Sequence, residues 1–178
     1  MYGLDFSPLK PAAIGKGYLR LPEASQVVTK PTCVLDLDLQ TLDRTDPVLE
    51  NIGYTLVAER NDTVHAILAW FDYDFTKGKG IVHVSTGPFQ PPTHWKQTVF
   101  YLENALEVRR GDRISGSISF EQSLAQRDLS VRLSCGLGDE PKFTNNGTTT
   151  DESGANGILK IKGAMTSSAK PNVGRYKV

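Results

Sequence analysis

After Pro31, apolar and polar positions begin to alternate. Leu35, Leu37 and Leu39 interleave with Asp36, Asp38 and Gln40. A period of two with one polar face predicts a half-buried strand. A polar linker over 43–47 follows, and Ile52, Tyr54, Leu56 and Ala58 line the next strand. Arg60-Asn61-Asp62 reads as a tight turn. Val64 to Phe75 is the most informative segment. His65, Ile67, Ala69, Phe71 and Tyr73 share one face, and Val64, Ala66, Leu68 and Trp70 share the other. Both faces are largely apolar, so this strand is central, or its outer face packs on another domain. A small closed barrel covers only the inner face, so the outer face calls for a partner layer.

Lys77 to Gly80 forms a flexible turn before a short strand from Ile81 to Ser85. The stretch Gly87 to Pro92 holds three prolines and must be a loop. Alternation resumes at Gln97 to Leu102, and Arg109-Arg110-Gly111-Asp112 turns the chain. Ile114, Ile118 and Phe120 mark the next strand, with Gly116 on the same face, and Leu129, Val131 and Leu133 mark another. Closely spaced strands without interposed helices predict an all-β fold, an antiparallel β-barrel or sandwich. The lead-in is different. Pro8, Pro11, Gly15, Gly17, Pro22 and Pro31 limit helix to a short turn around Leu9 to Ile14. Beyond Gly136, Asn145-Asn146-Gly147 and Thr148 to Thr150 are loop-like, and Ile158, Ile161 and Met165 supply at most one weak added strand. The expected organisation is an irregular lead-in over 1–31, a β-barrel domain over 32–135 and a polar, low-order tail over 136–178.

Composition narrows the function. Twenty basic side chains balance twenty acidic ones in 178 residues, which argues against nucleic acid or an acidic membrane as the main partner. The two cysteines, Cys33 and Cys135, form neither a disulfide framework nor a metal cluster and are expected to be reduced. His65, His83 and His94 are well separated. The start of the chain lacks the basic and apolar runs of a signal peptide, and the longest apolar stretch, Ala66 to Phe71, is too short to span a bilayer. The expectation is a soluble intracellular protein, in which the sequons at Asn61 and Asn146 are chance matches.

The candidate chemistry lies in the proline-rich loop, where Thr93-His94-Trp95 follows Pro91-Pro92. From spacing alone, a rigid surface loop with a packed tryptophan is the plainer reading. The longer stretch from Pro91 to Tyr101, however, resembles the threonine–histidine–tryptophan loop of protein arginine N-methyltransferases. Val64-His65-Ala66 with Ala69-Trp70-Phe71-Asp72 is similar to the family's preceding barrel strands. Ser85-Thr86-Gly87-Pro88 resembles its serine–threonine stretch, and Gly111-Asp112 with Ile114-Ser115-Gly116 resembles the hairpin beyond the loop. Tyr2 to Ser7 looks like the segment just after the family's dimerisation arm. The ordered series covers residues 2 to 135.

This resemblance implies the carboxy-terminal antiparallel barrel of an S-adenosylmethionine-dependent enzyme, of the asymmetric type. Thr93, His94 and Trp95 would lie at the mouth of the substrate-arginine pocket. His94 would bond an acidic residue from outside the barrel, and Trp95 would pack beside the pocket wall. The implied partner is an arginine-containing protein substrate, such as a histone or an Arg-Gly-rich protein, in nucleus or cytoplasm. The cofactor, S-adenosylmethionine, belongs to the full family enzyme and is not expected to bind this chain alone. The strand, glycine-rich turn and helix that such a cofactor needs are not recognisable here. Nor does any of Glu50, Glu59, Glu103 and Glu107 match the family's paired glutamates, which grip a guanidinium through two charge-assisted hydrogen bonds. The first barrel strands would precede Tyr2, so the barrel is expected to be incomplete at its amino-terminal edge, with an unpaired strand. The catalytic set is therefore incomplete, and the chain is expected to be inactive alone, as a truncated gene product or a partial gene model. The alternative is a stand-alone protein-binding module that regulates an intact methyltransferase.

The remaining residues have plainer roles. His65 shares a face with Ile67 and Phe71 and reads as structural, and His83 has no evident role. Tyr2 and Asp5 fall at the arm junction. Lys96, Arg109, Arg110 and Arg113 read as a solvated barrel rim, and Arg127-Asp128 as a hairpin turn.

Overall fold

The computed structural model describes residues 5–39, 49–76, 80–122, 128–138, 143–150 and 158–167. Residues 77–79 of the turn expected over Lys77 to Gly80, the linker over 43–47, Tyr2 and Arg127 lie outside the described residues. A short helix, α1 (Lys10–Ile14), precedes the strands β1 (Gly17–Arg20), β2 (Thr32–Asp38), β3 (Leu49–Val57), β4 (Asp62–Phe75), β5 (Val82–Ser85) and β6 (Gln97–Val108). The chain continues through β7 (Arg113–Gln122), β8 (Asp128–Ser134), β9 (Gly136–Leu137), β10 (Phe143–Thr150) and β11 (Ile158–Ser167). One sheet runs β1-β6-β4-β11-β2, with β5 also on β4. The other runs β10-β8-β7-β3, with β9 on β7. Every ladder between these strands is antiparallel.

The alternation read from the sequence explains the core. Leu56, Ile67, Phe100, Ile114, Leu133 and Met165 meet between the sheets, each almost wholly buried. At one corner, the segment before β2 ties the sheets together. Lys30 N donates to Val57 O at 3.0 Å and Glu59 N donates to Val28 O at 2.9 Å. Among the described residues no ladder joins β1 to β10 at the other corner, so the fold is an open, barrel-like sandwich.

Strand β4 is central, one of the two placements that its apolar faces allow. One edge pairs with β11 over Val64 to Asp74, and the other pairs first with β6 and then with β5. Its outer face receives its partner layer from this chain. Ala66, Leu68 and Trp70 form a second cluster with Val99 and with Val27 of the lead-in. Val64 belongs instead with Ile67 in the main core, because the β4–β6 register shifts between Val64 and Ala66. A bulge reverses the side to which preceding residues point.

The part after Gly136 holds more strand than its composition suggests. Phe143–Thr150 pairs along β8, including Asn146 with Arg132 and Gly147 with Val131. Ile158–Ser167 is no weak addition but an interior strand between β4 and β2. Strand preference depends on the neighbouring edge as well as on residue type, and the free edges of β4 and β8 supply hydrogen bonds that local propensity does not reveal. Asp128 likewise starts β8, paired with Thr150, rather than lying in a turn.

Gly116 illustrates close packing in the second sheet. A Cβ there would overlap the Ser134 carbonyl oxygen and the Tyr54 ring. The Tyr54 hydroxyl donates to that same carbonyl at 2.5 Å. Burial pushes the Tyr54 phenol well above its ordinary value, with a further contribution from nearby Cys135. A raised folded-state value leaves stability whole below the unfolded phenol's pKa and removes it as pH rises beyond. Urea midpoints should therefore fall above about pH 10, and Tyr54→Phe should flatten that fall. Met165→Ala should cost about 3 kcal/mol in urea unfolding; an unchanged midpoint would show β11 to be dispensable.

Candidate functional site

The two strands that share one edge of β4 create the candidate site. β5 ends with Ser85 opposite Asp72, and β6 begins beside it, with Thr98 opposite Ala69. The residues between, Gly87 to Lys96, leave and rejoin the same edge across the gap at Trp70 and Phe71. Consecutive residues on a strand point to opposite faces. Phe89 lies edge-on to Trp70, with centroids 6.5 Å apart, and Trp95 lies edge-on to Phe71 at 5.8 Å. The loop thus wraps the edge of β4 and grips both faces.

Its base is held by buried polar contacts. Thr86 N donates to Phe71 O at 3.0 Å. The Thr86 hydroxyl donates to the same oxygen at 2.9 Å and accepts from Phe71 N at 3.2 Å. Gln97 Nε2 donates to Thr86 O at 2.6 Å, joining the two ends of the excursion. The Ser85 hydroxyl donates to Asp72 Oδ1 at 2.5 Å and accepts from Gly87 N at 3.2 Å. Two turns shape the remainder, with Gln90 N bonded to Gly87 O and Lys96 N bonded to Thr93 O, both at 3.2 Å. Lys96 adopts a left-handed φ of 57°, a conformation that costs a non-glycine residue about 1 kcal/mol.

The three residues singled out by sequence are together on this loop. His94 is exposed, without a hydrogen-bond partner among the described residues, and its ring lies 6.4 Å from that of Trp95. Trp95 is 41% exposed despite its contact with Phe71. Thr93 is half-buried, and its hydroxyl oxygen is buried without a partner among the described residues. Such an arrangement presents an imidazole that can donate or accept, beside an aromatic face that can pack on a planar cation.

Other candidates are elsewhere. Arg109 and Arg110 turn the chain at the opposite end of β6 from the loop, where Arg110 N bonds Asn61 Oδ1 at 2.8 Å. His83 is bonded through Nδ1 to Asp74 Oδ1 at 2.5 Å and places Nε2 4.0 Å from Asp72 Oδ2. Asp5 accepts from Ser7, and these hydrogen bonds hold its carboxyl below the usual range. Cys33 is exposed and Cys135 buried. The supporting residues Asp72, Ser85, Thr86 and Gln97 carried one legible signal: Asp72 continues the buried face of Leu68 and Trp70, where an acid needs a partner.

Among the described residues, no three His, Cys, Asp or Glu side chains gather as a metal site, and no helix is long and apolar enough to cross a membrane. The only α-helix among them has five residues and follows no strand and glycine turn, so these residues do not fit S-adenosylmethionine.

The described residues thus form an open antiparallel sandwich that carries this loop on one edge of β4. The family model of the arginine methyltransferase oligomerization subdomain matches residues 1–140. The chain belongs to the arginine methyltransferase family. It is 38% identical over 135 residues to protein arginine N-methyltransferase 1 of Schizosaccharomyces pombe, covering 75% of this chain and 39% of that protein. Against the Saccharomyces cerevisiae enzyme of the same name the figures are 35% over 150 residues, 83% and 41%. The chain thus spans about two fifths of these relatives' length. Its fold is similar to that in the Trypanosoma brucei PRMT1 enzyme–prozyme heterotetrameric complex with AdoHcy. There the TM-score is 0.75 at 29% identity, over 83% of this chain and 48% of that one. Arabidopsis thaliana protein arginine methyltransferase 10 shares the fold, with a TM-score of 0.69 at 21% identity, over 83% of this chain and 48% of that one.

Gly87 packs against the indole of Trp70, and a Cβ there would come within 2.7 Å of Nε1. Gly87→Ala should therefore shift the loop and cost about 2 kcal/mol, read by urea titration of tryptophan emission. An unaltered spectrum and midpoint would show the loop base to be loose.

Proposed function

We propose that this chain is the substrate-holding barrel of an S-adenosylmethionine-dependent protein arginine N-methyltransferase of the asymmetric type. The observation that carries the reading is the anchored loop, with Trp95 laid on Phe71 and His94 left exposed. In this reading Trp95 forms a wall of the arginine pocket, where an aromatic face favours a guanidinium. His94 bonds a carboxylate of a neighbouring cofactor domain, which fixes that domain against the barrel. The half-buried Thr93 sets the backbone between Pro92 and His94. S-adenosylmethionine supplies the methyl group in the family and is held outside the residues described here. The barrel binds and orients the protein chain that bears the arginine.

A second partner is an intact methyltransferase. The Trypanosoma brucei relative is an enzyme–prozyme complex, which supports the reading that a family chain can serve another family chain as a companion.

Titrating the isotope-labelled chain with an Arg-Gly-rich peptide in NMR tests the reading. Shifts should concentrate in residues 86–97 and at Phe71, and Trp95→Ala should weaken binding about tenfold, the worth of one cation–aromatic contact. The chain alone, given S-adenosylmethionine and the peptide, should yield no methylated product. Shifts confined to the far end of β6, or clear product above a buffer control, would overturn the proposal.

A further inference from the structure

We infer that Asp72 is a positioning residue for the Thr93-His94-Trp95 loop, acting through Ser85 and the backbone N–H of Gly87. This rests on the reading of that loop as the substrate-facing site. Asp72 lies on β4, on the face of Leu68 and Trp70, yet it is only 1% exposed. An acid is retained at such a position only where its oxygens are satisfied. Its Oδ1 receives the Ser85 hydroxyl at 2.5 Å, a short, charge-assisted contact. Donating its proton downward leaves the Ser85 oxygen free to accept, and it takes the Gly87 N–H at 3.2 Å. A hydroxyl polarised by a carboxylate accepts more strongly than an isolated one. Gly87 is the first residue of the excursion and lies hard against Trp70, so its position fixes the direction in which the loop departs.

The other end is fixed in register with this one. Gln97 Nε2 donates to Thr86 O at 2.6 Å, between the two tethered residues Ser85 and Gly87. Gln97 is itself 3% exposed, and its amide has one productive orientation, because the reversed amide would set oxygen against the Thr86 carbonyl. Both ends of the loop are therefore referred to β4: one through Asp72 and Ser85, the other through Gln97 and Thr86. His83 closes the outer side of the anchor, with Nε2 4.0 Å from Asp72 Oδ2 and Nδ1 on Asp74. The chain spends a buried carboxylate on holding a loop whose exposed residues, His94 and Trp95, make few contacts of their own. That expenditure makes sense if the direction of those two side chains matters.

Fluorotryptophan labelling gives one fluorine signal for Trp70 and one for Trp95, assigned with Trp95→Phe. Ser85→Ala keeps the strand and removes the relay, Asp72→Asn keeps an acceptor for the Ser85 hydroxyl, and Ser85→Thr restores the hydroxyl. Ser85→Ala should shift or broaden the Trp95 signal and weaken Arg-Gly-rich peptide binding roughly tenfold, the value of one buried hydrogen bond. The thermal midpoint should fall as well, because the buried Asp72 carboxylate loses a partner, and Trp70 should report the shifted Gly87; the Trp95 change should already be present in the folded chain, well below that midpoint. Ser85→Thr should restore both readouts, and Asp72→Asn should fall between Ser85→Ala and the unaltered chain. A Trp95 signal unmoved in folded Ser85→Ala, well below its thermal midpoint, would overturn the inference, as would failure of Ser85→Thr to restore that signal. Should the unaltered chain and Trp95→Ala bind the peptide alike, the substrate reading fails. The fluorine signals then decide the positioning role by themselves.

Discussion

Fourteen residues of β4 run through the middle of one sheet with ladders on both edges and apolar side chains on both faces. A strand in that position cannot tolerate an open face, because each exposed large side chain forfeits roughly 1.5–3 kcal/mol of burial. Two layers must therefore meet it. The inner one is the second sheet, led by Ile114 and Leu133. The outer one is assembled from pieces that are distant in sequence, Val27 of the lead-in and the loop after β5. The candidate site is a by-product of covering this strand. A loop that must pack Phe89 on one face and Trp95 on the other has its course set by the strand it wraps.

The same constraint separates stable from adaptable parts of the site. The base of the loop is buried and hydrogen-bonded, through Thr86, Gln97 and the Asp72–Ser85 pair. Its crest, with His94 and Trp95, is exposed and held by a single ring contact to the strand. Binding surfaces placed on a rigid base lose little conformational entropy when a partner arrives. The polar groups at the base are also the ones for which burial without partners would be costly, so their geometry and their chemistry point the same way.

Part of this architecture is legible without coordinates. Period-two alternation marks β2, β3, β6, β7 and β8, because a strand with one wet face leaves that pattern in its own residues. The doubly apolar stretch announces a strand covered on both faces. Proline spacing isolates the loop, and the order of short motifs, from Tyr2 to Ser7 through Thr93-His94-Trp95 to Ile114-Ser115-Gly116, resembles the family before any distance is known. What escaped was non-local. Asn145-Asn146-Gly147 carries no strand signal, yet it pairs with β8, whose edge provides the hydrogen bonds. Ile158 to Ser167 looks marginal alone and becomes an interior strand because β4 and β2 each offer it an edge.

The amino-acid sequence by itself determined the all-β class, the two apolar faces of β4, and the loop that carries Thr93, His94 and Trp95. Those follow from side-chain periodicity and from chain-local chemistry. Tertiary structure alone decided that β5 and β6 share one edge of β4 and that β11 takes the other. It also decided that Asp72, remote from the loop in sequence, lies beneath its first turn. Edge sharing depends on backbone hydrogen bonds, which every residue but proline can make in the same way, so side-chain identity leaves no trace of the choice. The register that brings Asp72 to Ser85 is fixed by the packing of both faces of β4, and packing exists only once the sheets have met.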